Sequence, residues 1–444
     1  VTDLRSFLAD LDIVEVDADV SPEFEVSAVL EEVDPSGKPV LFTNVSGYPG
    51  TRIAGNLLSS RELAARALGT TPGQLSETYV ARTAQGIPPV TVSDAPCQEV
   101  VIEGPDDVGA VLPIPTYHEL DAGPFLTCGV VIAIDPESGE RGMGIHRMMY
   151  KGGNRFGIFL ANPPLSAFLE HAEASNRPLP LAVALGVDPA TLIAAVVKAG
   201  PQSPDKMHIA GALRGSAVEL VAARTIDLDV PARAEIIIEG NLVPGVREEE
   251  GPFGENTGFY FSNVSPVFEA TAITHRHEFI FQALKPWGSD VDTLLSLASG
   301  AEMLAQLREL IDGVRDLELT SGSCGFAAVV SVLRIPKSDV RRLIHLALAL
   351  DRRIKQVTVV NEEVDVRNPR EVAWALATHF RPEIDTVIMG GMEGYAIDPS
   401  AAGGTGSKIG LDASGDPADA RPRVAVPSWA AKRAKSILSE RETS

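Results

Sequence analysis

Two glutamates in a glycine- and proline-rich stretch are the first residues placed to do chemistry. Gly245-Val-Arg-Glu-Glu-Glu-Gly-Pro-Phe-Gly-Glu-Asn-Thr-Gly258 follows Glu235 to Glu239, where Ile236, Ile237 and Ile238 predict a strand. Gly251, Pro252 and Gly254 predict that regular structure stops there, so Glu250 and Glu255 are expected on a loop of fixed shape. Carboxylates held five residues apart on a rigid turn can take different pKa values and divide into an acid and a base. The competing reading is a solvated acidic turn, which suits Glu248 and Glu249 better.

An arginine is the next candidate. In Gly142-Met-Gly-Ile-His-Arg-Met-Met149, Arg147 is flanked by large apolar groups on an expected strand, and its planar fork needs an anion such as a carboxylate. A structural ion pair would meet the same need. Gly403-Gly-Thr-Gly-Ser-Lys-Ile-Gly410 resembles a phosphate loop but lacks the Walker A spacing, which argues against nucleotide hydrolysis. Lys408 and the backbone amides around it could hold another phosphate, or the stretch could be a surface loop. His275 and His277 are expected on one face of a strand, a possible metal pair without a third ligand; packing or surface roles suit them and His208 better. Lys206 and His208 are expected just before a glycine turn that leads to Glu219.

Composition narrows the classes. The 444 residues suffice for two or three domains at roughly 150 residues each. Sixty acidic against 38 basic side chains give a net charge of -22, which repels phosphate backbones and anionic membranes, so nucleic acid is not expected. The longest apolar runs, such as Leu179 to Val187, are too short to span a bilayer, so membrane insertion is not expected either. An anionic substrate would need a local cluster of Arg and Lys. Cys97, Cys128 and Cys324 are too few and too scattered for a disulfide framework, and Val1 to Ile13 lacks a signal-peptide pattern; a cytoplasmic setting is expected.

The supporting elements follow from periodicity. Helices are expected at Thr2 to Leu11, Glu23 to Glu32 and Ser59 to Leu68, with a strand at Pro39 to Val45, making a small α/β unit to about residue 100. From Cys97 strands dominate: Val100 to Ile102, Phe125 to Ile134, Gly144 to Tyr150, Leu179 to Gly186, Val218 to Ala222, Ala234 to Glu239 and Val267 to His275. A long helix, Asp290 to Leu310, is interrupted only by Gly300. Beyond it come strand Ala327 to Leu333, helix Lys337 to Leu350, strand Gln356 to Val360, helix Pro369 to His379 and strand Thr386 to Ile388, an alternation that predicts a parallel or mixed sheet. Trp429 to Leu438, with Lys432, Arg433 and Lys435, is a basic helix able to dock on a neighbour.

Several motifs in joint order resemble the UbiD family of decarboxylases, which use prenylated FMN. They are Gly55-Asn-Leu-Leu-Ser-Ser-Arg-Glu, Arg147-Met, Leu181-Ala-Val-Ala-Leu-Gly-Val-Asp-Pro189, Ala210-Gly-Ala-Leu-Arg-Gly215, Val218-Glu-Leu-Val, Glu250-Gly-Pro-Phe-Gly-Glu255 with Thr257-Gly-Phe-Tyr260, and Ser407-Lys-Ile-Gly-Leu-Asp412. The resemblance implies an α/β (α+β) fold in four parts: an N-terminal α/β domain over 1–100, a split β-barrel flavin domain over 101–289, a connecting helix over 290–311, and a C-terminal α/β oligomerisation domain over 312–444. It implies reversible decarboxylation of an aromatic, heteroaromatic or α,β-unsaturated acid in a homodimer or homohexamer, with a flavin prenyltransferase supplying the cofactor. Arg147 would hold the substrate carboxylate, Glu255 would donate the proton and Glu250 would tune Arg147 and the flavin. Ile145, His146, Met148, Asn162, Lys206 and Lys408 would line the flavin, and Ile145, Leu284 and Trp287 suit a flat ring, with Lys285 or His277 available to a second acidic group.

One part of the pattern departs from the family. A divalent metal (Mn or Mg) and K are expected to bind the flavin phosphate through Asn, His and Glu, but those positions hold Gly142, a His-free stretch in which Asn162 is the nearest polar group, and Lys206. Lys206 is expected to replace the divalent ion, although a one-residue slip offers Asp205. Two other classes stay open: an oxidoreductase using ordinary FMN, and a non-catalytic assembly subunit.

Overall fold

The computed structural model describes residues 2–160, 162–198, 203–401, 404–416 and 423–442. Its centre is a nine-stranded sheet in the order Phe125–Leu126, Met148–Tyr150, Arg155–Ile158, Tyr260–His275, Ile236–Gly254, Leu179–Leu185, Val130–Ile134, Arg141–Ile145, with Val100–Glu103 pairing with Tyr260–His275. Arg141–Ile145 lies at one end of this order and Met148–Tyr150 near the other, yet only His146 and Arg147 separate them in sequence. The sheet therefore rolls back on itself around that dipeptide without closing its hydrogen bonding, as expected of a split barrel. The single strand expected over Gly144 to Tyr150 is broken at this seam.

The main correction concerns the glutamate stretch. The strand does not stop at Glu239 but runs from Ile236 to Gly254 against Tyr260–His275, with register shifts after Glu239, Leu242 and Glu250. The partner strand satisfies the backbone across the bulges, and the last bulge absorbs Gly251 and Pro252, which local signals alone read as breakers. Gly251 has φ +106°, and a Cβ there would lie 2.6 Å from the Phe261 carbonyl oxygen, so glycine is required. Glu250 is thus on a paired strand, and only Glu255 lies on the turn.

Four further strands, Val14–Val16, Val40–Phe42, Arg52–Gly55 and Ile280–Gln282, form a second sheet that joins the two chain halves. The connecting helix is continuous from Ser289 to Leu310, with a π-helical segment at Ser296–Ala301 that contains Gly300. In the C-terminal region a five-stranded mixed sheet runs Val314–Leu319, Ala327–Val332, Gln356–Asn361, Thr405–Ala413, Thr386–Glu393. The three inner strands are parallel and the outer two antiparallel. Helix Lys337–Leu350 buries Val340, Leu343, Ile344, Ala347 and Leu348 against this sheet.

Lys206 and His208 do not precede a turn; they open the helix Lys206–Arg214. Gly211 sits inside this helix because a Cβ there would meet the Ile87 carbonyl oxygen at 2.6 Å, so a packing contact rather than a turn selects glycine. Gly211→Ala is expected to lower stability by about 1–3 kcal/mol, since backbone is slow to yield to an added methyl. Thermal unfolding of the variant at unchanged midpoint would contradict this packing.

Candidate active site

The seam in the central sheet positions Arg147. Its carbonyl accepts from the Phe159 amide at 3.2 Å, and its guanidinium lies 4.5 Å from the Phe159 ring centre and 4.9 Å from that of Phe253. The two rings leave its N–H edges as the polar outlets. Arg147 donates to Glu250 through Nε at 2.8 Å and Nη2 at 3.0 Å, a bidentate pair, and Nη1 contacts Glu255 Oε1. Glu250 is completely buried and Arg147 nearly so, with the Glu255 side chain 15% exposed. The Ser265 hydroxyl reaches the second Glu250 oxygen at 3.4 Å. The structure therefore brings together all three residues singled out from sequence.

The turn that carries Glu255 is braced from below. Asp121 accepts from the amides of Gly254 at 2.7 Å, His118 at 2.9 Å and Tyr117 at 3.2 Å, and Ala122 N donates to the Pro252 carbonyl at 2.7 Å. Beside Glu255, the buried Asn256 Oδ1 and Thr257 Oγ1 lack hydrogen-bond partners among the described residues, and Phe253 packs 4.4 Å from Phe125. Unsatisfied buried acceptors and hydroxyls cost stability unless something else meets them. Sequence reading missed Phe159, Phe253, Asp121 and Ser265, whose roles depend on pairing distant in sequence.

The remaining predicted residues are distributed differently. His146 bonds the Phe159 carbonyl through Nδ1 at 3.0 Å, and desolvation pushes its imidazole down to about 4. Ile145 packs against the core that contains Ile193 and Met207, and Met148 is fully buried between Leu126 and Ile158. Lys408 lies on strand Thr405–Ala413 rather than a phosphate loop, with Nζ donating to the Leu348 and Asp351 carbonyls at 2.8 and 3.1 Å. These bonds satisfy the end of helix Lys337–Leu350; Gly403 lies outside the described residues. Lys285 is tied to the Trp287 carbonyl at 2.7 Å and to Glu31, and Leu284 is buried, whereas Trp287 is 53% exposed beside Gly258. His275 ends its strand against Phe279 and His277 lies beyond it, so the expected pair on one strand face does not form.

A divalent ion does not fit the residues at Gly142, Asn162 and Lys206. A Cβ on Gly142 would lie 2.6 Å from Phe168 and 2.8 Å from Leu165, so that face is filled by apolar groups. Asn162 Oδ1 accepts from Arg352 at 3.1 Å, and Asp205 caps its helix and faces Arg141 at 3.4 Å. Among the described residues no group of three His, Cys, Asp or Glu side chains could hold a metal. Asn162 and Lys206 thus bond different partners, and Gly142 offers no side chain, so the three do not converge on one ion.

Glu302, on the connecting helix near Lys206, is pushed up to about 7 by burial, with the Lys198 ammonium opposing the shift. Its raised pKa means that the folded state binds this proton more tightly than the unfolded chain, so the stability it contributes is present near pH 4 and is lost as pH rises through about 7. Unfolding free energy is expected to fall by on the order of 1–3 kcal/mol over that window, with a shallower slope in Glu302→Gln. An identical slope in the variant would show that Glu302 is not responsible.

Comparison with known proteins gives the family. The N-terminal, Rift-related and C-terminal domain models of 3-octaprenyl-4-hydroxybenzoate carboxy-lyase match residues 7–83, 89–288 and 292–413. Anhydromevalonate phosphate decarboxylase of Methanothermobacter thermautotrophicus is 32% identical over 93% of this chain and 96% of its own. The UbiD-class enzyme HmfF from Pelotomaculum thermopropionicum, solved in complex with FMN, superposes with a TM-score of 0.93 at 35% identity, covering 97% of this chain and 98% of that one. A 3,4-dihydroxybenzoic acid decarboxylase from Enterobacter cloacae superposes with a TM-score of 0.90 at 30% identity, over 98% of this chain and 99% of that one. The chain belongs to the UbiD family of decarboxylases.

Proposed function

We propose that the protein catalyses reversible, non-oxidative decarboxylation of an aromatic, heteroaromatic or α,β-unsaturated carboxylic acid with prenylated FMN as cofactor. The observation that carries this reading is the division of the Arg147 donors. Glu250 takes Nε and one Nη2 hydrogen, and Glu255 lies against Nη1. One hydrogen on each Nη nitrogen is left, enough donors for a substrate carboxylate. Arg147 then orients the carboxyl group, and Glu250, wholly buried, keeps the fork from rotating.

Glu255 has a different part. It is partly accessible on its turn and adjoins the arginine that holds the scissile group, so it is placed to deliver a proton to the carbon that loses CO2. Solved relatives are described in complex with FMN and with prFMN, which supports a flavin here. When bound, prenylated FMN supplies the electron sink for CO2 loss. The orphaned Asn256 Oδ1 and Thr257 Oγ1, together with His146 and Lys206, are the residues that would meet cofactor and substrate. Exposed Trp429, Ile437 and Leu438 on the terminal helix Ser428–Glu442 fit the homo-oligomer expected of this class.

The test is a screen of benzoic, furoic, pyrrole, indole and cinnamic acids with protein produced alongside a flavin prenyltransferase. The expected result is CO2 release from at least one class, with bound flavin unaffected by NADH. Flavin reduction by NADH without CO2 release from any acid would favour an oxidoreductase instead.

A further inference from the structure

We propose that this chain holds the flavin phosphate without a divalent ion, with the Lys206 ammonium as its direct counter-charge. This rests on the flavin reading above and specifies how one end of that site works. Lys206 is the first residue of the helix Lys206–Arg214, where the helix dipole adds to its positive charge and favours an anion. Its Nζ donates to the Ala195 carbonyl at 2.8 Å and forms no ion pair among the described residues. An ammonium has three donors, so two are left for phosphate oxygens.

The neighbouring charges leave that ammonium available. Asp205, the adjacent carboxylate, faces Arg141 at 3.4 Å and accepts the Met207 amide at 2.6 Å. Lys198 is held by Asp351 Oδ2 and by Ser299 at 2.8 Å. Glu302 interacts with Lys206 only at longer range, and its raised pKa weakens it as a counter-ion at neutral pH. Burial pushes Lys206 down to about 8, the direction expected of a cation that lacks a close anion, while leaving it mostly protonated at neutral pH. The space in which a liganding side chain at Gly142 would sit is filled by Pro164, Leu165 and Phe168. A phosphate dianion next to Lys206 completes this end without any ligand set.

The test compares FMN and riboflavin binding to full-length apoprotein by flavin fluorescence, in chelator-treated, potassium-free buffer and again with added Mn. Wild type is expected to bind FMN equally well in both buffers and to carry far less than one divalent ion per chain. Lys206→Gln is expected to weaken FMN about 10- to 100-fold and leave riboflavin affinity unchanged, with Lys206→Arg recovering most of the loss. FMN binding that requires stoichiometric Mn overturns the proposal. Equal weakening of FMN and riboflavin in Lys206→Gln also overturns it, because Lys206 would then serve only to cap the Ala195 carbonyl. Failure of wild type to bind FMN in either buffer overturns the flavin reading itself, and this inference with it.

Discussion

Glu255→Gln is expected to lower kcat by about 10²- to 10⁴-fold while flavin and substrate still bind. The amide preserves the size of the side chain and one oxygen for Arg147 Nη1, but it cannot deliver a proton. The turn itself should survive, because only the 3.3 Å bond from Asn256 N uses the Glu255 carboxylate, while Glu255 N donates to the Phe259 carbonyl at 3.0 Å and Asp121 holds Gly254 N at 2.7 Å. Loss confined to kcat, with KM little changed, identifies an interaction used in the transition state. Full turnover in Glu255→Gln would remove the proton-donor role.

Arg147→Met should produce a double defect. Removing the guanidinium leaves Glu250 completely buried with its cation gone, which costs about 3–5 kcal/mol of stability. Activity should disappear as well, because the substrate carboxylate has lost its fork. Pairing Arg147→Met with Glu250→Met separates the two effects: apolar replacement of both partners should recover most of the stability and none of the activity. Arg147→Lys keeps the charge but not the planar fork, so it should fold better than Arg147→Met and still turn over poorly. If Arg147→Met is as stable as wild type, the ion pair seen with Glu250 does not persist in solution.

The parts of the molecule legible in sequence are those whose signals are local. Helices Lys337–Leu350 and Pro369–His379 coincide with their expected spans, because apolar spacing defines the first and Pro369 after the Asn368 cap defines the start of the second. The strand through Glu250 was hidden for the opposite reason: Tyr260–His275 supplies the hydrogen bonds that carry the backbone past Gly251 and Pro252, and that pairing leaves no trace within the stretch itself. Helix Lys206–Arg214 was hidden by Gly211, which the Ile87 carbonyl requires. In the candidate site, Arg147, Glu250 and Glu255 were nameable because charged groups among apolar or glycine-rich neighbours are conspicuous. Phe159 and Phe253, which clamp the guanidinium, look like any core aromatic until the fold sets them on either side of it.

The account depends most on Glu255 delivering a solvent-derived proton to the carbon that CO2 leaves. The direct measurement follows wild-type holoenzyme in deuterated buffer with an acid that it decarboxylates, recording CO2 and product by mass spectrometry and NMR. The account predicts one CO2 per product, one deuterium at the former carboxyl-bearing carbon, and slow exchange of added product at that same position, both suppressed in Glu255→Gln. Product formed without deuterium at that carbon, or exchange of equal rate in Glu255→Gln, would contradict it.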